Sequence, residues 1–351
     1  MPTLRLALAF CLLAGLLTTP IVDAETGATS ELVVLYWADY IAPDLIVKFE
    51  KLHHVKVRVV YFDDDNQRDQ LLLANNGAGY DLALINETNL EFYRQRDWLA
   101  PLTEAEAPNL KHIDPKWAQA YSATGYATPY FWGTLGIAYR RDLLKTAPRS
   151  WLDLMRPSAA LRGRIAMLTS QREVLGMALK ALGHSLNSTE NEDLSDATKL
   201  LLEQKPFVRS YETAILTDES ELVTGVITMR MMYSGDALML KSKNDNIDYI
   251  VPDEGTAIWV DYLAVMSASR HPALAYQFID FLNEPVNAAR NAAFVNYATP
   301  NKVADALMPA EYHDNGTIYP NPRTLAKSER FLALPPRAVN RRNSEFAQLL
   351  H

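Results

Sequence analysis

Three short stretches pair an aromatic ring with a carboxylate where a strand is expected to end. "YWADY" holds Trp37, Asp39 and Tyr40, "YSGDA" holds Tyr233 and Asp236, and "IWVDY" holds Trp259, Asp261 and Tyr262. A fourth stretch, "SQREV", sets Glu173 at a helix start close to Ser170. The chemistry these types share is recognition of an organic cation. An ammonium that leaves water needs an anion or hydrogen-bond acceptors. A methylene chain needs an apolar slot, and aromatic faces serve both needs, because their quadrupole attracts cations while their surface packs CH₂ groups. A close ammonium–carboxylate pair gains about 4 kcal/mol at an effective dielectric near 20, before desolvation is subtracted. Several such pairs along a flat aromatic trough select a linear oligoamine over anions and neutral sugars. Each residue also has an ordinary reading: Trp259 as core, Asp39 as a helix cap, Glu173 as a partner of a helix dipole, Tyr40 and Tyr233 as packing.

The elements that must position these residues follow from the hydrophobic pattern. "LVVLYW" (32–37) reads as a strand and 43–52 as an amphipathic helix. A strand over 55–62, a helix over 65–77 closed by Gly77, a strand over 80–85 and a helix over 89–99 follow. This alternation predicts a mostly parallel sheet with helices on both faces, and ligands beyond the carboxyl ends of its strands, here 36–40 and 86–88. The segment 130–139 reads as a strand that carries the chain into a second domain, which opens with 150–155, 163–168 and a helix over 172–183. The polar stretch 184–196 reads as a surface loop. A strand, turn and helix over 225–241, a strand over 247–252, a returning strand over 256–267, and helices over 272–283 and 286–295 complete the pattern. Two α/β lobes joined by more than one crossing segment enclose a cleft.

Composition narrows the function. The chain has 351 residues, more than one hydrophobic core usually serves. Its formal net charge of −8 argues against nucleic acid; it suits a cationic ligand, and it also suits a simply well-solvated surface. Residues 1–24 read as a secretory signal: Arg5, then the apolar "LALAFCLLAGLL", then Val22, Asp23 and Ala24 before the cut. Cleavage there would remove Cys11, the single cysteine, so the exported chain would rest on its cores rather than on disulfides. No later segment is apolar enough to span a membrane. There is no HExxH and no cysteine cluster, and the adjacent His53 and His54 suit a surface turn. "NNGAGYD" is not a phosphate loop, and "GTLGIA" lacks the GxSxG spacing. No cofactor or metal is expected. An enzyme using cleft carboxylates as acid and base is a remote alternative, because no nucleophile accompanies them.

The stretches "YWADYIAPDLIVKFEK", "YDLALI", "PYFWGTLGIAYRRDLL", "SWLDLM", "REVLGMALKALG", "WVDYLAV", "FIDFLNEP" and "NYATPN" occur in an order and spacing that runs through nearly the whole exported chain. In these the chain resembles the periplasmic spermidine/putrescine-binding proteins of polyamine ABC transporters. The resemblance implies a type II periplasmic-binding-protein fold, with two α/β lobes closing on a polyamine: 31–136 with 260–305, and 137–259 with 306–351. It places ligand aromatics on Trp37, Tyr40, Tyr233, Trp259 and Tyr297, carboxylates on Asp39, Glu173, Asp236 and Asp261, and strand-end polar groups on Asn86, Glu87 and Thr88. The chain departs from the family at Ser170, where spermidine-preferring members carry an acid, at Ala38, where a hydroxyl is usual, and at Tyr233, where Trp is common. Asp236 in "SGDA" resembles putrescine-preferring members. The expectation is a monomeric, non-enzymatic periplasmic protein that takes a putrescine-, spermidine- or norspermidine-type ligand. Its partner would be an ABC permease or a membrane sensor, for example one controlling cyclic-di-GMP turnover.

Overall fold

A computed structural model of the chain describes residues 30–118 and 125–350. The expected leader over 1–24 lies outside the described residues. The chain begins with β1 (Glu31–Trp37), α1 (Pro43–His53), β2 (Lys56–Phe62), α2 (Asp65–Ala74), β3 (Leu82–Asn86) and α3 (Glu87–Gln95). A short α4 (Pro115–Ala118) precedes the 13-residue β4 (Thr128–Arg140), every residue of which is buried. Then come α5 (Trp151–Met155), β5 (Ile165–Met167), α6 (Gln171–Ala181), α7 (Asn191–Gln204), β6 (Val208–Tyr211), α8 (Glu221–Thr224), β7 (Met229–Tyr233), α9 (Ser234–Lys243), β8 (Ile247–Ile250) and β9 (Ala257–Val265). Helices α10 (Pro272–Asn283) and α11 (Pro285–Val295), the two-residue β10 (Glu329–Arg330) and a C-terminal helix (Pro336–Leu350) follow.

The strands are ordered β2-β1-β3-β9-β4-β7-β5-β6, with β10 beside β9 and β8 beside β4. β1 pairs in parallel with β2 and β3, as the alternating pattern predicts. The sheet as a whole is mixed rather than mostly parallel. The reason is that β4 and β9 run between the two halves in opposite directions, and β4 pairs antiparallel with β9, β7 and β8. A second difference lies in 184–196: α7 begins inside this stretch at Asn191. Its Leu194, Ala197, Leu200 and Leu201 recur at helical spacing and are buried, so the apolar stripe outweighs the polar composition.

Two large cores result. One gathers β1, β3, β9, α1 and α10 around Phe49, Tyr93, Phe131 and Phe278. The other gathers α5, α6 and α7 around Trp151, Leu175 and Leu201, with Phe346 of the C-terminal helix. Met308 and Ile318 pack in the first core, and Phe331 packs in the second. Tyr233 is half-buried and packs against both cores.

Candidate functional site

The sheet register assembles the site. Asn86 of β3 pairs with Asp261 of β9, and Asp261 pairs with Phe131 of β4. One step along, Trp259 pairs with Gly133, and Leu135 of β4 pairs with Tyr233 at the end of β7. Trp259 and Asp261 are two residues apart on a strand, so their side chains leave the same face. Gly133 makes room for the indole: a Cβ there would lie 2.5 Å from Trp259 Cζ2.

These residues form a continuous band of rings ending in carboxylates. The Tyr40 hydroxyl donates to Asp261 Oδ2 at 3.0 Å. The Tyr40 ring meets that of Tyr297 at 5.8 Å between centroids. Tyr297 stands edge-on to Trp259 at 4.7 Å and 86°, and Trp259 stands edge-on to Tyr233 at 5.9 Å and 84°. The Tyr297 hydroxyl donates to Asp236 Oδ1 at 2.9 Å, and the Tyr233 hydroxyl to Glu173 Oε1 at 3.3 Å. The short step from β7 into α9 without an intervening loop sets Asp236 in the first turn of α9, where the helix dipole favours an anion. Gly235 beside it lets Tyr297 approach, since a Cβ there would lie 2.5 Å from Tyr297 Cζ. We expect Gly235→Ala to destabilise the fold by about 1–3 kcal/mol through overpacking, against its better helix propensity. A urea midpoint equal to or above that of the parent would contradict this close approach.

Burial sets the electrostatics. It pushes the Asp261 carboxyl up to about 7, with Asp65 adding to the rise and the Tyr40 hydrogen bond opposing it. It pushes Asp236 up to about 6, opposed by the Tyr297 hydrogen bond and by Arg230. Among the described residues neither carboxylate is in an ion pair. Each has a neutral tyrosine hydroxyl as its hydrogen-bond partner.

The other sequence-predicted residues fall into three groups. Glu87 is buried, accepts from the Val260 backbone N–H at 3.0 Å through Oε2, and leaves Oε1 buried without a hydrogen-bond partner among the described residues. Burial pushes its carboxyl up to about 8, which favours the protonated form near pH 7. Asn86 and Ser170 are helix caps. Asn86 Oδ1 accepts from the Asn89 backbone at 3.1 Å and from the Thr88 hydroxyl at 2.9 Å, and Ser170 Oγ accepts from the Arg172 backbone at 3.3 Å. Among the described residues, no hydrogen bond or ring contact joins Trp37 or Asp39 to the band. Trp37 is half-buried against Phe62 at 4.3 Å, and Asp39 is exposed in the turn after β1 with φ 53°. Asp39 does not cap α1 either; that position belongs to Ala42, followed by Pro43.

Two functional candidates escape the sequence reading, Arg172 and Asp65. Arg172 donates to Thr88 Oγ1 at 3.0 Å and pairs with Glu173 at 2.5 Å and with Asp65 at 3.4 Å, bridging elements of the two cores. Burial alone would raise the Asp65 carboxyl, but Arg68 and Arg172 hold it below the usual range. The residue next to Glu173 in "SQREV" was the available signal, but a helix-start Arg beside a Glu reads as an ordinary surface pair. Among the described residues no group of three or more His, Cys, Asp or Glu side chains is placed to hold a metal ion. None of the helices there is long and apolar enough to cross a membrane.

Comparison with known proteins fits this architecture. A family model for bacterial extracellular solute-binding proteins matches residues 44–320. The chain is 33% identical over 299 residues to a norspermidine sensor of Vibrio cholerae, covering 85% of this chain and 82% of that one. It is 30% identical over 336 residues to the putrescine-binding periplasmic protein PotF of Escherichia coli, covering 90% of each. Among solved structures, a spermidine/putrescine ABC transporter substrate-binding protein, PotD of Streptococcus pneumoniae, superposes with a TM-score of 0.79 at 28% identity, over 92% of this chain and 98% of that one. A two-lobed α/β fold with two large cores and this span of matched residues together make the chain a member of the bacterial extracellular solute-binding protein family.

Proposed function

We propose that the chain captures a linear polyamine in the cleft between its two cores, outside the cytoplasmic membrane after removal of the 1–24 leader, without turning it over. The observation that carries this reading is the pair Asp236 and Asp261: among the described residues, two half-buried carboxylates outside any ion pair, held by the Tyr297 and Tyr40 hydroxyls beside the edge-to-face stack of Tyr233, Trp259 and Tyr297. An anionic or neutral ligand would leave their charge uncompensated, whereas an alkyl ammonium supplies both the cation and the apolar body. The relatives named above, which include a norspermidine sensor and putrescine- and spermidine-binding proteins, support the same ligand class. Tyr40 would orient Asp261 and Tyr297 would orient Asp236, while Trp37 and Asp39 would form an outer rim. Contacts made to both lobes at once would favour the closed form. Calorimetry of the exported chain with putrescine, spermidine, norspermidine and spermine tests the reading: one saturable site for at least one amine is expected, and no heat from any of the four would reject it.

The raised carboxyl values give a pH signature. In the unfolded chain both carboxyls titrate near 4. Between about pH 4 and pH 7 the folded, empty protein therefore holds more protons than the unfolded chain, and its stability from these two groups falls as pH rises through their folded values of about 6 and about 7. A bound ammonium favours the ionised forms, so binding below pH 7 releases protons. We expect affinity for putrescine to rise between pH 5 and pH 8, with proton release fading by pH 8. Titrations in two buffers of different ionisation enthalpy measure both, and an affinity flat over this range would place other groups at the ammonium.

Two outputs follow from capture, delivery to an ABC permease or signalling to a membrane sensor. The identity with the Vibrio cholerae sensor favours keeping the second in view. Uptake of radiolabelled polyamine by a strain lacking the chain separates them: lost uptake supports delivery, and unchanged uptake supports signalling.

A further inference from the structure

Outside the aromatic band, α9, β8 and the end of β4 border a cavity of about 220 Å³, which the turn at 315–317 also lines. Its walls come from both halves of the chain. Ala237 and Ile247 pack with Ala138 and Leu240 in a small third core, and Tyr139 packs in the second. Asn315 and Thr317 directly precede Ile318, which packs in the first. The polar groups around this cavity are donors in excess. An ammonium has three N–H groups. Lys241 gives one to the Ile247 carbonyl at 3.2 Å and one to Asp248 Oδ1 at 2.5 Å, which leaves one. Asn315 Oδ1 accepts from the Thr317 backbone N–H at 3.0 Å. Among the described residues the Asn315 Nδ2, the Thr317 hydroxyl and the Tyr139 hydroxyl form no hydrogen bond. Burial, with Asp248 adding to it, pushes the Tyr139 hydroxyl above its usual range, so it stays a donor. Asp248 is already shared by Lys241 and by Arg141 at 3.6 Å.

We propose that this cavity binds a small aliphatic monocarboxylate, which joins Lys241 of one half of the chain to Asn315 and Thr317 of the other. The carboxylate accepts from the four uncommitted donors, and its alkyl body lies against Ala237 and Leu238. An amine finds no uncommitted anion there, and a phosphate dianion brings a second negative charge beside Asp248. A ligand that touches both halves favours the arrangement in which both sets of donors reach it. In that same arrangement Tyr297, of the first core, donates to Asp236 at the start of α9. Carboxylate and polyamine therefore strengthen each other's binding, reciprocally. This coupling rests on the polyamine reading above; the anion site does not.

The test titrates the exported chain with butyrate by saturation-transfer NMR, without amine, beside Lys241→Gln and Thr317→Val. Saturable binding on the order of 1 mM is expected for the parent. Lys241→Gln should weaken it by at least about tenfold and Thr317→Val by about threefold. Both side chains are only half-buried, and both variants should melt close to the parent. Calorimetry then measures putrescine with and without saturating butyrate: affinity should rise by about fivefold in the parent and stay unchanged in Lys241→Gln. Butyrate that does not saturate, or that binds both variants as it binds the parent, overturns the site. Inorganic phosphate or butylamine binding as tightly as butyrate overturns the ligand class, and a putrescine affinity indifferent to butyrate overturns the coupling. A chain that binds butyrate but no amine rejects the polyamine reading and leaves the anion site standing.

Discussion

Asp261→Asn is expected to weaken putrescine and spermidine binding by at least about tenfold while leaving the empty protein as stable as the parent or more so. The carboxylate is half-buried, outside any ion pair among the described residues, and held by one hydroxyl from Tyr40. Without ligand, keeping it ionised above pH 7 costs desolvation energy; an amide of the same shape still accepts the Tyr40 hydrogen bond and bears no charge to desolvate. Loss of binding without loss of stability distinguishes a ligand anion from a structural one. Urea unfolding beside calorimetry reads both quantities. Parental affinity in the variant would remove Asp261 from the site, and a large loss of stability would make it a packing residue. The difference in stability should also fade at pH 5, where the Asp261 carboxyl is protonated in the folded chain.

Trp259→Ala should have the larger effect, because the indole is both wall and core. It stands edge-on between Tyr297 and Tyr233, fills the space above Gly133 and is almost fully buried. Truncation of a buried aromatic typically costs about 3–5 kcal/mol of stability. In the site it would also remove the ring surface along which an alkyl chain packs, and a loss of about a hundredfold in affinity is expected, in the range of aromatic hot spots. Trp259→Phe separates the two roles. It keeps most of the packing, so stability should fall by roughly 1–2 kcal/mol, while the smaller ring still weakens binding by about tenfold. Unchanged affinity in Trp259→Phe, measured on folded protein, would confine Trp259 to the core.

How much of this was legible in the sequence depended on whether a residue's role was local. The strand–helix alternation of the first hundred residues and the placing of Trp259 and Asp261 on one face of a strand follow from hydrophobic period and strand geometry alone, and β1, β2, β3 and β9 lie where the pattern puts them. The pairing of β4 with β9, β7 and β8 is not local. It depends on a long strand shared by both halves, and only its 13 buried residues hint at that sharing. The α7 boundary was obscured because Asn191, Glu192 and Asp193 resemble a loop until the buried stripe from Leu194 is seen in register. In the site, Asp236, Asp261 and Trp259 were marked by residue type and strand-end position. Their convergence through the hydroxyls of Tyr40 and Tyr297 spans more than 200 residues of sequence in one case and 61 in the other, and no pattern within either stretch encodes it. Arg172 was hidden for a related reason: its partners Thr88 and Asp65 lie 84 and 107 residues away, on elements packed into the other core. Asp39 illustrates the reverse. The sequence set it beside Trp37 and Tyr40, but the left-handed turn at φ 53° leaves it exposed while Tyr40 turns inward.

The central claim is that half-buried carboxylates from both halves of the chain meet the charged ends of one extended amine beside the aromatic stack. A crystal structure of the exported chain with putrescine tests it most directly. The account predicts one ammonium within hydrogen-bond distance of Asp261, the other within reach of Asp236, and the methylene chain against Trp259. An amine found elsewhere on the protein, or lying in the cleft with its ammonium groups turned away from both carboxylates, would contradict it.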